Sequence, residues 1–114
     1  MKEIKAYVKI SVVGDVVAAL KEAGFRCMTI IDVSGLGNLR DPEQSKYSLE
    51  FVQKMSKLAK IELACKDEVV DKAVDIMKKH GCTHQAGDGI IFVYPVERAV
   101  KIKTGEEGEN VLQT

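Results

Sequence analysis

The order strand, helix, strand occurs twice along this chain of 114 residues, and no other feature restricts the fold as strongly. In the first half, apolar and polar residues alternate from Glu3 to Ser11, which is the period of a half-buried strand. Apolar residues spaced as on one helix face follow from Val13 to Leu20, and Gly24 lies where such a helix would end. A β-rich run from Cys27 to Val33 predicts the next strand.

The second half repeats this order. Residues Lys57 to Cys65 predict a strand, and Val69 to Met77 predict a helix that ends at Gly81. Ile90 to Tyr94 predict another strand, and a further short strand fits Ala99 to Lys103. Two strand–helix–strand units indicate an α+β fold, the ferredoxin-like βαββαβ sandwich, in which two helices cover one face of a four-stranded antiparallel sheet.

The chain has the length of a single domain, residues 1–114. Between its halves, residues 34–55 contain two glycines, a proline and many polar residues. Structureless connections longer than roughly 12 to 15 residues are unusual, so we expect a long protruding loop with a function of its own. Residues 104–114 predict a flexible C-terminal segment. The sheet face that the helices leave bare predicts self-association.

Composition and charge exclude several classes of function. Seventeen Lys and Arg balance seventeen Asp and Glu, so no overall charge directs the molecule to nucleic acid. No run approaches the roughly 20 apolar residues of a membrane span, and no signal-peptide pattern opens the chain. Three cysteines without a C-x-x-C pair predict reduced thiols. We therefore expect a cytoplasmic protein.

Gly87, Asp88 and Gly89 directly precede an apolar strand. Glycines in such a turn allow backbone N–H groups to close on phosphate oxygens. The alternative is an ordinary tight turn, because Asp and Gly are common turn formers.

Lys101 and Lys103 alternate with Ile102. On an extended segment both ammonium groups would point to one side, where they could hold a polyphosphate. The alternative is a solvated strand face, since exposed charges are common.

His80, Cys82 and His84 form the pattern H-x-C-x-H, and all three are ligand types for a soft or borderline metal. Structural zinc sites normally have four ligands, however, and a histidine at a helix end also interacts with the helix dipole. No nucleophile, base and orienting group stand out together, so we predict no enzymatic activity.

Taken in order, these features resemble the P-II nitrogen-signalling family. The similarity runs without a gap from Met1 to about Asn110. Its motifs are VSGLG at 33–37, KIE at 60–62, GDG at 87–89 followed by IFV at 91–93, and KIKTGE at 101–106. The resemblance implies a homotrimer with ATP or ADP, with or without Mg²⁺, bound in clefts between subunits. It also implies that the long loop, called the T-loop in the family, docks onto a target protein.

The resemblance places twelve residues at the nucleotide site. They are Thr29, Gly35, Gly37, Asn38, Glu62, Ala64, Gly87, Asp88, Gly89, Ile90, Lys101 and Lys103. At the last two positions the family has arginine, so charge is kept while the planar hydrogen-bonding fork is lost.

Several positions depart from the family pattern. Leu39 and Leu58 stand where the family has a glutamine and a lysine that serve 2-oxoglutarate, and Ile90 stands at a phosphate-site lysine. These changes remove one metal-ligating oxygen and two charges, which speaks against a 2-oxoglutarate response. Phe51 stands at the uridylylated tyrosine and has no hydroxyl, while Tyr47 lies one position off the second loop tyrosine.

The sequence therefore predicts a divergent P-II-like regulator that binds adenine nucleotides and acts on a membrane transporter or an enzyme through its long loop. The alternative is a ferredoxin-like trimer that senses a metal or another small molecule, in metal or inorganic-carbon regulation, without a 2-oxoglutarate response.

Overall fold

The structure, a computed structural model, describes residues 1–36 and 56–112. The strands are β1 (Lys2–Lys9), β2 (Thr29–Gly35), β3 (Ser56–Cys65) and β4 (Ile91–Pro95), and the helices are α1 (Ile10–Glu22) and α2 (Val70–Gly81). Short 3₁₀ turns occupy Asp67–Val69 and Glu109–Val111. The predicted α+β fold is confirmed. The predicted site residues Gly37 and Asn38, with Leu39, Tyr47 and Phe51, lie outside the described residues.

The four strands form one antiparallel sheet in the order β2-β3-β1-β4. Strand β1 pairs with two neighbours: Ile4 lies opposite Leu63 of β3 on one side and opposite Val93 of β4 on the other. The first strand of the chain thus holds both strands of the second half. Strands β2 and β4 remain at the edges of this sheet.

The core lies between one face of the sheet and the two helices. Strand β1 contributes every second side chain, and the helices contribute residues spaced three or four apart. Each of these side chains is less than 5% exposed. The main contributors are Ile4, Ala6, Val8, Val16, Leu20, Ile61, Ala73 and Met77. Burying each larger one contributes roughly 1.5–3 kcal/mol to folding.

The boundary between β1 and α1 differs from the prediction. The strand ends at Lys9, and Ile10 already begins the helix, whereas alternation predicted a strand as far as Ser11. Lys9 is extended, and its side chain makes no capping hydrogen bond. Since Ile10 satisfies either period and no capping residue marks the change, the sequence contains no local signal for this boundary.

The segment that follows β4 also differs from the prediction. Residues 99 to 103 do not form a strand, because only a single bridge joins Val100 to Glu107. The Lys101 N–H donates to the Glu106 carbonyl at 2.8 Å, and Gly105 takes a φ of +77°. The chain therefore turns back sharply. The 3₁₀ turn at Glu109–Val111 continues the segment for which the sequence predicts a flexible tail.

The sheet face away from the helices combines aromatic rings with paired charges. The Tyr7 and Phe92 rings meet edge to face at 6.2 Å, and Lys5 Nζ lies 5.1 Å from the centre of the Tyr94 ring. Lys60 Nζ lies 3.0 Å from a Glu62 carboxylate oxygen, and this hydrogen bond raises the pKa of Lys60. No helix among the described residues is long and apolar enough to span a membrane.

Gly14→Ala and Gly24→Ala form a matched pair, because a methyl group at either position meets no atom within 4 Å. Gly14 lies inside α1, where alanine is favoured over glycine by about 1 kcal/mol, so Gly14→Ala should raise the free energy of unfolding. Gly24 has a φ of +102°, a region that costs an L-residue roughly 1–2 kcal/mol. Gly24→Ala should therefore lower the free energy of unfolding. Urea unfolding followed by circular dichroism measures both. Changes of the same sign would contradict the backbone geometry.

Candidate functional site

The turn before β4 lies directly against the end of β1. Gly87 has a φ of +94°, which favours glycine. A Cβ on Gly89 would lie 1.9 Å from the Tyr7 carbonyl oxygen, and the Tyr7 N–H donates to the Ile90 carbonyl at 3.0 Å. Both glycines are therefore required by the backbone, one for its dihedral angle and one for the close approach.

The Asp88 carboxylate closes this turn on the residues that follow α2. Its Oδ2 accepts a hydrogen bond from the Thr83 N–H at 2.8 Å, and its Oδ1 accepts one from the Thr83 hydroxyl at 2.6 Å. Lys9 Nζ donates to the same hydroxyl oxygen at 3.3 Å and lies 3.8 Å from Asp88 Oδ1. Asp88 therefore shapes the turn from inside it.

Sequence reasoning placed Asp88 at the site but missed its two partners. Thr83 offers only a weak sequence signal for this contact, because Thr and Asp occur together in many polar turns. Lys9 offers none, since it lies 74 residues from Thr83 along the chain and only the pairing of β1 with β4 brings them together.

Partial burial acts to raise the pKa of the Asp88 carboxyl, but other effects outweigh it. The side-chain and backbone hydrogen bonds from Thr83 stabilise the ionised form, and the positive charge of Lys9 adds to them. The net result is a pKa below the usual aspartate value. The group is thus a carboxylate at neutral pH and holds the turn in that form.

A cleft of about 530 Å³ opens beside the start of β2. Thr29 and Glu62 are direct neighbours across β2 and β3, and Ala64 lies two residues further along β3. The cleft walls are Glu3, Arg26, Cys27, Met28, Thr29, Glu62, Leu63 and Ala64. The sequence reasoning had named only Thr29, Glu62 and Ala64. The lining of this cleft combines aliphatic side chains with hydroxyl and carboxylate oxygens.

Within one chain, the two groups of site residues do not meet. Thr29 lies on edge strand β2, whereas the turn at Gly87–Gly89 precedes edge strand β4. Three strand spacings separate these edges, which is about 14 Å. Gly35 lies at the other end of β2, as the last residue of the strand.

Lys101 and Lys103 lie on the hairpin that follows β4. The Val96 N–H donates to the Met1 carbonyl at 3.0 Å, so the hairpin leaves the sheet at the end where β1 begins. Both lysines are exposed, and Ile102 between them is fully exposed. The expectation that the lysines share one face of a strand is wrong, because this segment turns. Both residues lie within the turn that this segment makes.

Comparison with known proteins assigns the family. The family model for "Nitrogen regulatory protein P-II" matches residues 1–106. The P-II protein of Rhodobacter capsulatus is 35% identical over 112 residues, covering 98% of this chain and all of the relative. The P-II protein of Haemophilus influenzae is 36% identical over 116 residues, with 98% of this chain and all of the relative covered. The chain belongs to the P-II family.

The P-II match covers both halves of the fold, the Gly87–Gly89 turn and the lysine hairpin as far as Glu106. Two of the departures from the P-II pattern fall within the described residues. Leu58 is 1% exposed and borders a cleft with Asp32, Val33 and Lys57, and Ile90 is 40% exposed. Neither side chain has an atom that ligates a carboxylate or a metal.

The H-x-C-x-H residues do not assemble into a metal site. His80 lies in the last turn of α2, whereas Cys82 and His84 follow it, with Cys82 Sγ 3.6 Å from His84 Nδ1. Across residues 1–36 and 56–112, no three His, Cys, Asp or Glu side chains are grouped so that they could hold a metal ion. The pair of Cys82 and His84 is all that this pattern brings together.

Asp88→Asn should lower the free energy of unfolding at pH 7 by about 1–3 kcal/mol, because the Thr83 N–H loses a charged acceptor. The pKa of Asp88 is lower in the folded state, so its carboxylate stabilises the fold above the unfolded value of about 4. That contribution is lost as the pH falls through the folded value. The difference between variant and wild type should therefore shrink below about pH 4.

Urea unfolding at pH 7 and pH 3 measures this difference. Asp75→Asn, at an exposed position on α2, is the matched control and should stay within about 0.5 kcal/mol of wild type. An Asp88→Asn deficit of equal size at both pH values would show that the carboxylate does not hold the turn.

Proposed function

We propose that this chain is a P-II signalling protein that binds ATP or ADP between subunits of a homotrimer and regulates a target transporter or enzyme through residues 34–55. It acts in the cytoplasm as a regulator and not as an enzyme. The observation that carries the proposal is the separation of two complementary half-sites on opposite edges of one sheet. Two adjacent copies bring such halves together, whereas one copy does not.

The cleft beside β2 suits a purine base. Met28, Leu63 and Ala64 give it aliphatic walls against which a flat ring packs. The Glu62 carboxylate accepts hydrogen bonds from an exocyclic amine, and the Thr29 hydroxyl both donates and accepts. These are the few convergent polar groups that orient a ligand in an otherwise apolar site.

The turn before β4 suits a phosphate chain. The left-handed Gly87 and the closely packed Gly89 leave this backbone without side chains that would keep an anion away. Lys9, whose side chain is 16% exposed, lies beside Asp88 and offsets its negative charge. Lys101 and Lys103 lie beyond the other end of β4, so in this arrangement their positive charge reaches the phosphates from the neighbouring copy. Because lysine binds phosphate as a point charge, the nucleotide should be held less rigidly than by arginine.

The open sheet face supports the trimer. Its charges are already paired within the chain, as in Lys60 with Glu62 and Lys5 with Glu3. Phe92 and Tyr94 remain 41% and 43% exposed beside them. Aromatic rings next to neutralised charges form a surface that a second copy can cover without leaving an unpaired ion.

A site shared between copies can be tested by mixing two defective chains. Ala64→Gln fills the base cleft, and Gly87→Ala strains the turn. Each variant alone should bind ATP poorly in calorimetry. Co-expressed chains should regain part of the sites, because one variant supplies an intact base half and the other an intact phosphate half.

The control co-expresses Ala64→Gln with a chain that carries both changes. Every cleft in those trimers has a defective half, so binding should stay low. No recovery in the first mixture would place the site within a single chain and overturn the shared arrangement.

Lys101→Ala together with Lys103→Ala should weaken ATP and ADP binding by at least about tenfold, because two charges near the phosphates are lost. Lys79→Ala, an exposed lysine on α2, should bind as wild type does. Adding 2-oxoglutarate with Mg²⁺ should leave the wild-type affinity unchanged, since Leu58 and Ile90 offer it no ligand. Equal affinity in the double variant and the control would contradict the role of the hairpin.

A further inference from the structure

Cys82 and His84 form a nucleophile and base pair that nucleotide binding does not require. Cys82 follows the last residue of α2 and is exposed. Its Sγ lies 3.6 Å from His84 Nδ1. When the ring proton is on Nε2, Nδ1 is the acceptor that faces the thiol, and the thiolate is the form of cysteine that reacts.

A cleft of about 570 Å³ between α2 and β4 is lined in part by Cys82. Val74, Met77 and Val93 contribute apolar walls, and Lys78 adds a positive charge. Cys82 and Asp88 both line the cleft. A small molecule can therefore reach the thiol from a sheltered side, and an anionic one finds a cation there.

The thiol is coupled to the phosphate turn through the next residue along the chain. Cys82 directly precedes Thr83, whose N–H and hydroxyl bind Asp88. A group attached to Sγ would therefore displace the contacts that close the turn.

The other cysteines differ from Cys82. Cys65 is fully buried, and burial raises the pKa of its thiol, so it should stay unreactive in the folded protein. Cys27 is exposed beside the base cleft. It provides an internal control for changes that act on the protein as a whole.

We propose that Cys82 is a thiol-modification site, which exchanges with the disulfide of a low-molecular-weight thiol such as glutathione while His84 acts as the base. The thiol proton moves from Sγ to His84 Nδ1, and the thiolate attacks one sulfur of the disulfide. A new S–S bond forms, the old S–S bond breaks, and the leaving thiolate takes the proton from the imidazolium. One disulfide replaces another, so no further oxidant is needed.

The consequence for binding rests on the proposed nucleotide function. A glutathione adduct places carboxylates beside the turn and separates Asp88 from Thr83. Repulsion of phosphates and loss of turn geometry both weaken nucleotide binding. Reduction releases the adduct, so the site converts the thiol–disulfide balance into nucleotide affinity.

The test treats the intact protein with oxidised glutathione and follows each cysteine by peptide mass spectrometry. Cys82 should react at least about tenfold faster than Cys65, because Cys65 is buried and a disulfide reacts with an accessible thiolate. His84→Asn should slow Cys82 by about tenfold and leave Cys27 unchanged. Asparagine tolerates the φ of 60° at this position, so the fold is kept, and His84→Gly should behave alike.

A Cys82 rate indifferent to both His84 substitutions would overturn the modification site. ATP titration of reduced, modified and re-reduced protein tests the coupling separately. Modified protein should bind about tenfold more weakly and recover on reduction, and Cys82→Ser should not respond to glutathione. Unchanged affinity after modification would overturn the coupling. Reduced protein that binds no nucleotide would instead refute the proposed function, while the peptide rates still decide the modification site.

Discussion

The pairing of β1 with both β3 and β4 is the interaction on which the rest of the structure depends. It joins the two strand–helix–strand units into one sheet and aligns Ile4, Ala6 and Val8 under the helices. Through the same pairing, Tyr7 receives the turn before β4. A change in register by one residue would turn the core side chains of β1 to the open face.

The Gly87–Gly89 turn shows how backbone geometry and chemistry are divided among neighbouring residues. Gly87 is required for its positive φ, and Gly89 is required because it packs against the Tyr7 carbonyl. Both carboxylate oxygens of Asp88 accept hydrogen bonds from Thr83. The carboxylate that sequence reasoning assigned to a ligand therefore acts first as a positioning group. Under the proposed function, the turn would offer its backbone to the phosphates, with Lys9 beside it as a positive charge.

Much of the fold was predictable because periodicity reports which face of an element is buried. The alternation in β1 and the helical spacing in α2 were sufficient to find both elements. The beginning of α1 was not predictable, since Ile10 fits either period and Lys9 makes no side-chain cap. The alternation of charged and apolar residues around Lys101 predicts a strand. Backbone hydrogen bonds within the segment, such as Lys101 N–H to the Glu106 carbonyl, close it into a turn instead.

The amino-acid sequence was sufficient to predict the two strand–helix–strand units, the α+β class and the family. These predictions follow from local periodicity and from motifs that lie within a few residues of one another. The sequence could not show that Thr29 and the Gly87–Gly89 turn lie at different edges of the sheet, that Lys9 supports the turn at Asp88, or that Cys82 contacts His84. The physical reason is that strand order and side-chain direction depend on contacts between residues far apart in the chain, which no local pattern records.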